Sequence, residues 1–206
     1  MKHLRISAIA AVTLIVAASP VAAQRTDWVK YGETPTVGEK RDMALDGRTI
    51  RLIDRMVRAK ADSLKAIKDA SVTTERDTNG LLAIKVTLSG NGMPAEPNVT
   101  GYNNTSQAAL AALETQLNDA WEYADLFVDG HTDNVGPYDE NMTISFRRAT
   151  AIGNLLIRMG VDSARVHIRG FSYDYPIADN HKISGREKNR RVEVSVCVSP
   201  TMLDRL

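Results

Sequence analysis

The sequence predicts an α/β (α+β) fold, a mixed β-sheet with helices packed on one side. Three observations carry this. Val192, Val194, Val196 and Val198 recur with the two-residue period of a strand buried on one face, and so do Ile84, Val86 and Leu88. Leu126-Phe127-Val128 and Val166-His167-Ile168-Arg169 are short strand-like runs. Between them lie helical stripes, Leu110, Leu113 and Leu117, then Ile152, Leu155, Leu156 and Met159. Strands that alternate with helices build a mixed sheet with helices on its face.

The elements follow in order. Residues 1–23 are read as a signal peptide. Met1-Lys2-His3-Leu4-Arg5 is its basic start, Ile6 to Ala18 its apolar core, and Val21-Ala22-Ala23 supplies the small residues for cleavage before Gln24. The core is shorter than the about 20 apolar residues of a membrane-spanning helix. No cysteine lies near the cleavage site to carry a lipid, and Cys197 is read as a small strand residue. Residues 24–70 form an N-terminal extension. Its first part is polar and interrupted by Gly32, Pro35 and Gly38; from about Lys40 to Ala70 a helix follows, with Ile50, Ile53, Met56, Val57, Leu64 and Ile67 as its apolar stripe. This helix docks on the domain or on a partner.

Residues 71–199 are the domain. Val72 to Glu75 and Leu81 to Leu88 form a hairpin around Asp77-Thr78-Asn79-Gly80, whose Asn-Gly pair tolerates positive φ. Gly90 to about Asn104 is a loop, and helix 105–120 follows. Ser145 is read as the N-cap of the next helix, which runs to about Met159 before Gly160, with Ile144 stapled to Ala149. A short helix over 184–189 leads into the last strand, and 200–206 is a tail.

Charge narrows the function. The chain has 26 basic and 25 acidic side chains, and loss of Lys2 and Arg5 with the leader turns the net +1 into −1. Nucleic acid and anionic membranes are therefore not the expected partners. After the leader, no segment is expected to enter a membrane. The informative cluster is Asp133, in a polar turn after a strand, and Arg148, expected in the first turn of a helix. A basic side chain at that electropositive end makes sense when an anion arrives there. An arginine for a carboxylate and an aspartate for an ammonium make a receptor for an amino-acid head group.

Val128-Asp129-Gly130-His131-Thr132-Asp133-Asn134 is followed by Asn141, Ile144-Ser145 and Arg147-Arg148-Ala149. Gly185-Arg186 and Asn189-Arg190-Arg191-Val192-Glu193 close the pattern. In order and spacing this resembles the OmpA-like domain, a family that grips peptidoglycan in the Gram-negative periplasm. The resemblance runs from about residue 73 to 198. It implies that Asp133 and Arg148 hold the free amino and carboxyl groups of meso-diaminopimelate. Thr132, Asn141, Ile144 and Ser145 would line the pocket, and Arg190 or Arg191 would complete it. It further implies a non-enzymatic wall-binding protein without a cofactor, located in the periplasm against the cell wall or the inner face of the outer membrane. A protein of the envelope would meet its N-terminal helix. One departure stands out: the family's Phe-Asp before the first domain helix is missing, and Asn103 or Asn104 would substitute as a neutral group. Two rival readings follow. One is a metal-dependent hydrolase using His131, Asp133 and Asp129; the other is an envelope assembly scaffold that has lost its ligand. A calcium loop from Asp129 to Glu140 fails, because Asn134 stands where that loop needs glycine.

Overall fold

The computed structural model describes residues 45–68, 70–89, 104–117 and 119–205. The expected signal peptide, the polar leader, and the loop with its missing Phe-Asp and Asn103 lie outside the described residues.

The chain order is α1 (Gly47–Leu64), β1 (Ala70–Arg76), β2 (Leu82–Ser89), α2 (Asn104–Gln116), β3 (Asp125–His131), α3 (Tyr138–Arg158), β4 (Val166–Gly170), α4 (Ile183–Asn189), β5 (Arg191–Cys197) and α5 (Pro200–Leu203). The five strands form one sheet in the order β1-β2-β5-β3-β4. β3 and β4 pair in parallel, as their α3 crossover requires, and the other pairs are antiparallel. The sheet is therefore mixed, as expected.

Alternation divides the sheet into two faces. Ile84, Val86, Val194, Val196, Leu126, Val128 and Ile168 share one core with the buried sides of α1, α2 and α3. Phe127, Ala83 and Cys197 cluster on the other face. Burial pushes the Cys197 thiol well up, so it stays protonated and acts as a small apolar residue.

α1 belongs to this core. Asp46 caps it, its carboxylate accepting from Thr49 N at 2.7 Å. Ile53, Val57, Ala61 and Leu64 lie along one stripe and are at most 3% exposed. Lys60 Nζ also donates to the Gln116 carbonyl at the end of α2, at 2.7 Å. A boundary at residue 70 therefore falls within a shared core.

The β1–β2 turn falls on Asp77 to Gly80, as expected, with Gly80 N donating to the Asp77 carbonyl at 3.0 Å. Asp77 Oδ1 accepts from Asn79 N and Leu81 N, both at 2.8 Å. Gly80 takes positive φ, at 75°, and Asn79 does not. The aspartate ties down a turn in which one residue, not two, needs the left-handed region.

α3 begins at Tyr138 with Pro137 at its N-cap, eight residues before the expected cap Ser145. Asp139 and Glu140 occupy the first turn, where carboxylates suit the helix dipole. These opening turns are polar, so hydrophobic period alone did not extend the helix over them. Ser145 is instead mid-helix and fully buried. Its Oγ donates to the Met142 carbonyl at 2.8 Å and accepts from Ser172 N at 3.0 Å. It ties the helix to the loop after β4.

Two glycines let α3 lie directly on the sheet. A Cβ on Gly130 would stand 1.9 Å from the Ser145 carbonyl oxygen, and one on Gly170 would stand 2.8 Å from Phe146 N.

Candidate functional site

The chain leaves β3 at His131 and turns at once. Thr132 N donates to the Ser172 carbonyl at 2.8 Å, which pins the turn to the loop after β4. Asp133 follows, its Oδ1 accepting from Val135 N at 3.0 Å. Asn141, in the first turns of α3, donates to the Val135 and Pro137 carbonyls at 2.9 and 3.2 Å and closes the turn from the other side. β5 runs beside β3 with His131 opposite Arg191. That register sets Arg190, the residue just before β5, beside Asp133, and Arg190 Nη1 donates to Asp133 Oδ2 at 2.6 Å.

Arg148 reaches the same place from the third turn of α3. Its Nη1 donates to the His131 carbonyl at 3.4 Å, a long contact. Its Nε is buried and has no partner among the described residues, and neither has the buried Thr132 Oγ1. Burial, then the nearby Arg190 charge, pulls the Arg148 guanidinium below its ordinary pKa; Asp133 pulls the other way. A half-buried cation with an unused donor is costly when empty and receptive to a carboxylate.

These groups face a cavity of about 310 Å³. Thr132, Asp133, Asn141, Ile144, Arg148 and Arg190 line it, all drawn from the expected set. Ser145 does not, being spent on the Ser172 contact. Arg191 points to the opposite face of the sheet, where its Nε donates to Glu193 at 2.6 Å. Two further residues line the cavity, Val135 and Arg186. Arg186 belongs to the Gly185-Arg186 motif, but nothing in its spacing indicated that it would line this cavity. Val135 is 64% exposed on the rim. Because α3 starts early, Arg148 is not at a helix N-terminus. The expected dipole contribution is gone, and guanidinium groups supply the positive charge.

A larger cavity, of about 600 Å³, opens on the other face of the sheet, helix-free among the described residues, beside His131, Lys85, Tyr175 and Glu193. Size does not make it the better receptor for a charged head group. Lys85 already pairs with Glu75 at 2.7 Å and Glu193 at 3.1 Å, and Asp129 is clasped by Arg169 at 2.6 and 2.7 Å. Its charges are answered from within.

The hydrolase residues are not brought together. Asp129 and His131 face the helix-free side, while Asp133 faces the smaller cavity. Among the described residues no cluster of three histidine, cysteine, aspartate or glutamate side chains could hold a metal ion. Burial, then the Arg191 charge, lowers the His131 pKa to about 3, so the ring is neutral. It stacks on Phe171 at 5.5 Å.

Residues 94–190 match the OmpA family model. The chain is 40% identical over 109 residues to outer membrane protein Omp38 of Acinetobacter baumannii, covering 52% of this chain and 30% of Omp38. It is 33% identical over 128 residues to the probable lipoprotein YiaD of Escherichia coli, covering 59% of this chain and 58% of YiaD. In both cases the chain spans less than two thirds of the relative's length. Among solved structures, the cell wall anchor of the T6SS from Pseudomonas aeruginosa superposes with a TM-score of 0.54 at 26% identity, over 71% of this chain and 99% of the anchor. A MotB-like protein from Desulfovibrio vulgaris shares the fold, with a TM-score of 0.60 at 19% identity over 73% of this chain and 99% of that one.

Proposed function

We propose, from the premise that this chain carries an OmpA-family domain over residues 94–190, that it binds peptidoglycan non-covalently in the periplasm. The contact is the zwitterionic end of the diaminopimelate in the stem peptide. Arg148 and Thr132 Oγ1 donate to its carboxylate, and Asp133 accepts from its ammonium. Arg190 holds Asp133 in place at 2.6 Å. The bound wall then tethers the protein, or an envelope protein attached to it. The single observation that carries this reading is the donor of Arg148, unpartnered among the described residues, on the one cavity that Asp133 also lines. The likeness to a cell wall anchor supports it.

The experiment is co-sedimentation with purified sacculi. Wild type should be retained on diaminopimelate-type walls. It should be retained much less on lysine-type walls, whose stem residue lacks the side-chain carboxylate. Asp133→Ala and Arg148→Ala should each weaken retention about tenfold or more, since a charge-assisted hydrogen bond contributes about 1.5–3 kcal/mol. Equal retention of the wild type and both folded variants sinks the proposed site.

A further inference from the structure

The charge of the cavity is larger than a zwitterion can answer. Arg148, Arg186 and Arg190 line it, with Asp133 as the one acidic group among the described lining residues. Arg190 is already paired with Asp133. Among the described residues Arg186 makes only carbonyl contacts, to Asn180 at 3.0 Å and His181 at 3.5 Å. Arg148 is held back from its ordinary pKa by burial and by Arg190. Neither Arg148 nor Arg186 has a carboxylate partner among the described residues. A head group with one ammonium and one carboxylate enters with no net charge and leaves the surplus on the walls as it was.

We infer that the ligand brings a further carboxylate, outside the zwitterionic head, and that Arg186 is the residue that recognises it. The inference rests on the wall-binding reading and narrows its ligand. Geometry allows the assignment, because Arg148 sits on α3 and Arg186 on α4, so the two guanidinium groups approach the cavity from different elements and need not share one carboxylate. Arg186 is also a fixed feature. Asn189 holds the preceding loop against α4 by accepting from Ile177 N and Ala178 N at 2.8 and 2.9 Å. The backbone at Asp179 packs so closely on Gly185 that a Cβ there would meet its oxygen at 1.9 Å.

A stem peptide offers two such carboxylates. One is the free α-carboxylate of its γ-linked glutamate; the other is the carboxylate at its C-terminus. Both present the same chemistry to a guanidinium, and amidation removes each separately. The test is calorimetric titration of the full protein with three synthetic tripeptides of alanine, γ-linked glutamate and diaminopimelate. One is unmodified, one is amidated on the glutamate α-carboxyl, and one is amidated on the C-terminal carboxyl. One amide should weaken binding to wild type about tenfold, and which one it is names the source. Arg186→Gln should bind the unmodified peptide about tenfold more weakly and no longer distinguish it from that amide. Arg186→Lys, which keeps the charge, should retain part of the distinction. Equal binding of all three peptides by wild type overturns the inference and leaves the wall-binding reading standing. So does an Arg186→Gln variant that weakens all three to the same extent. If wild type binds none of the peptides and no sacculi, both fall together.

Discussion

Arg148→Met separates recognition from folding, because the two should move in opposite directions. Methionine keeps an unbranched apolar stem and removes the charge. In the unliganded protein that charge is partly buried, disfavoured by Arg190, and carries a donor with no partner among the described residues. Its removal relieves desolvation and repulsion while sacrificing one long contact, 3.4 Å, to the His131 carbonyl. Stability should therefore stay level or rise by up to about 1 kcal/mol. Binding should fall. Loss of one charge-assisted hydrogen bond, about 1.5–3 kcal/mol, corresponds to roughly 10- to 150-fold in affinity. Urea denaturation gives the first quantity, and a sacculus co-sedimentation isotherm gives the second. A variant that binds like wild type, or one that unfolds more easily by about 2 kcal/mol or more, would show that Arg148 is a structural residue and refute the reasoning.

The remaining expectations are structural. Gly130→Ala forces a Cβ against the Ser145 backbone and must displace α3 itself, so its cost in urea denaturation should reach the upper end of the about 1–3 kcal/mol typical of overpacking. Leu64→Ala in α1 should cost about 2–5 kcal/mol, whereas Arg55→Ala on its exposed side should stay within about 0.5 kcal/mol, and deletion through residue 69 should expose the core and yield a poorly folded product by circular dichroism. His131 has a folded-state pKa of about 3 against an ordinary 6.5, so between those values the unfolded chain binds the extra proton and stability falls as pH falls. From pH 7 to pH 5 this amounts to roughly 2 kcal/mol, and His131→Phe should flatten that part of the stability–pH curve.

The strands were legible because packing one face into the apolar core writes a period of two into the chain, as Val192, Val194 and Val196 show, although the polar residues between them are buried too. Helix starts were less so. The polar turn from Tyr138 to Met142 has no apolar stripe to declare it helical, and Ser145 mimicked a cap. The stripe on α1 announced a buried face but not its partner, since amphipathicity carries no information about what covers it. At the site, Asp133 and Arg148 were visible as chemistry, and the structure sets both on one cavity. The choice between Arg190 and Arg191 was not legible, because it depends on the pairing of His131 with Arg191. Arg186 was hidden for a related reason: only the loop folded onto Asn189 and Gly185 brings it to the cavity.

That pairing has a consequence for how the protein can vary. His131 and Arg191 face the helix-free side, while Thr132, Asp133 and Arg190 face the smaller cavity. Two adjacent, chemically identical arginines thus have different duties, assigned by parity along the strand alone. Substitutions here change the strength of one contact at a time. Inserting or deleting a single residue between Asn189 and Glu193 would exchange the duties of the two arginines, remove the partner of Asp133 and drive an unmatched charge onto the other face. The lineage of this domain should therefore admit amino-acid replacements around the cavity far more readily than changes in length.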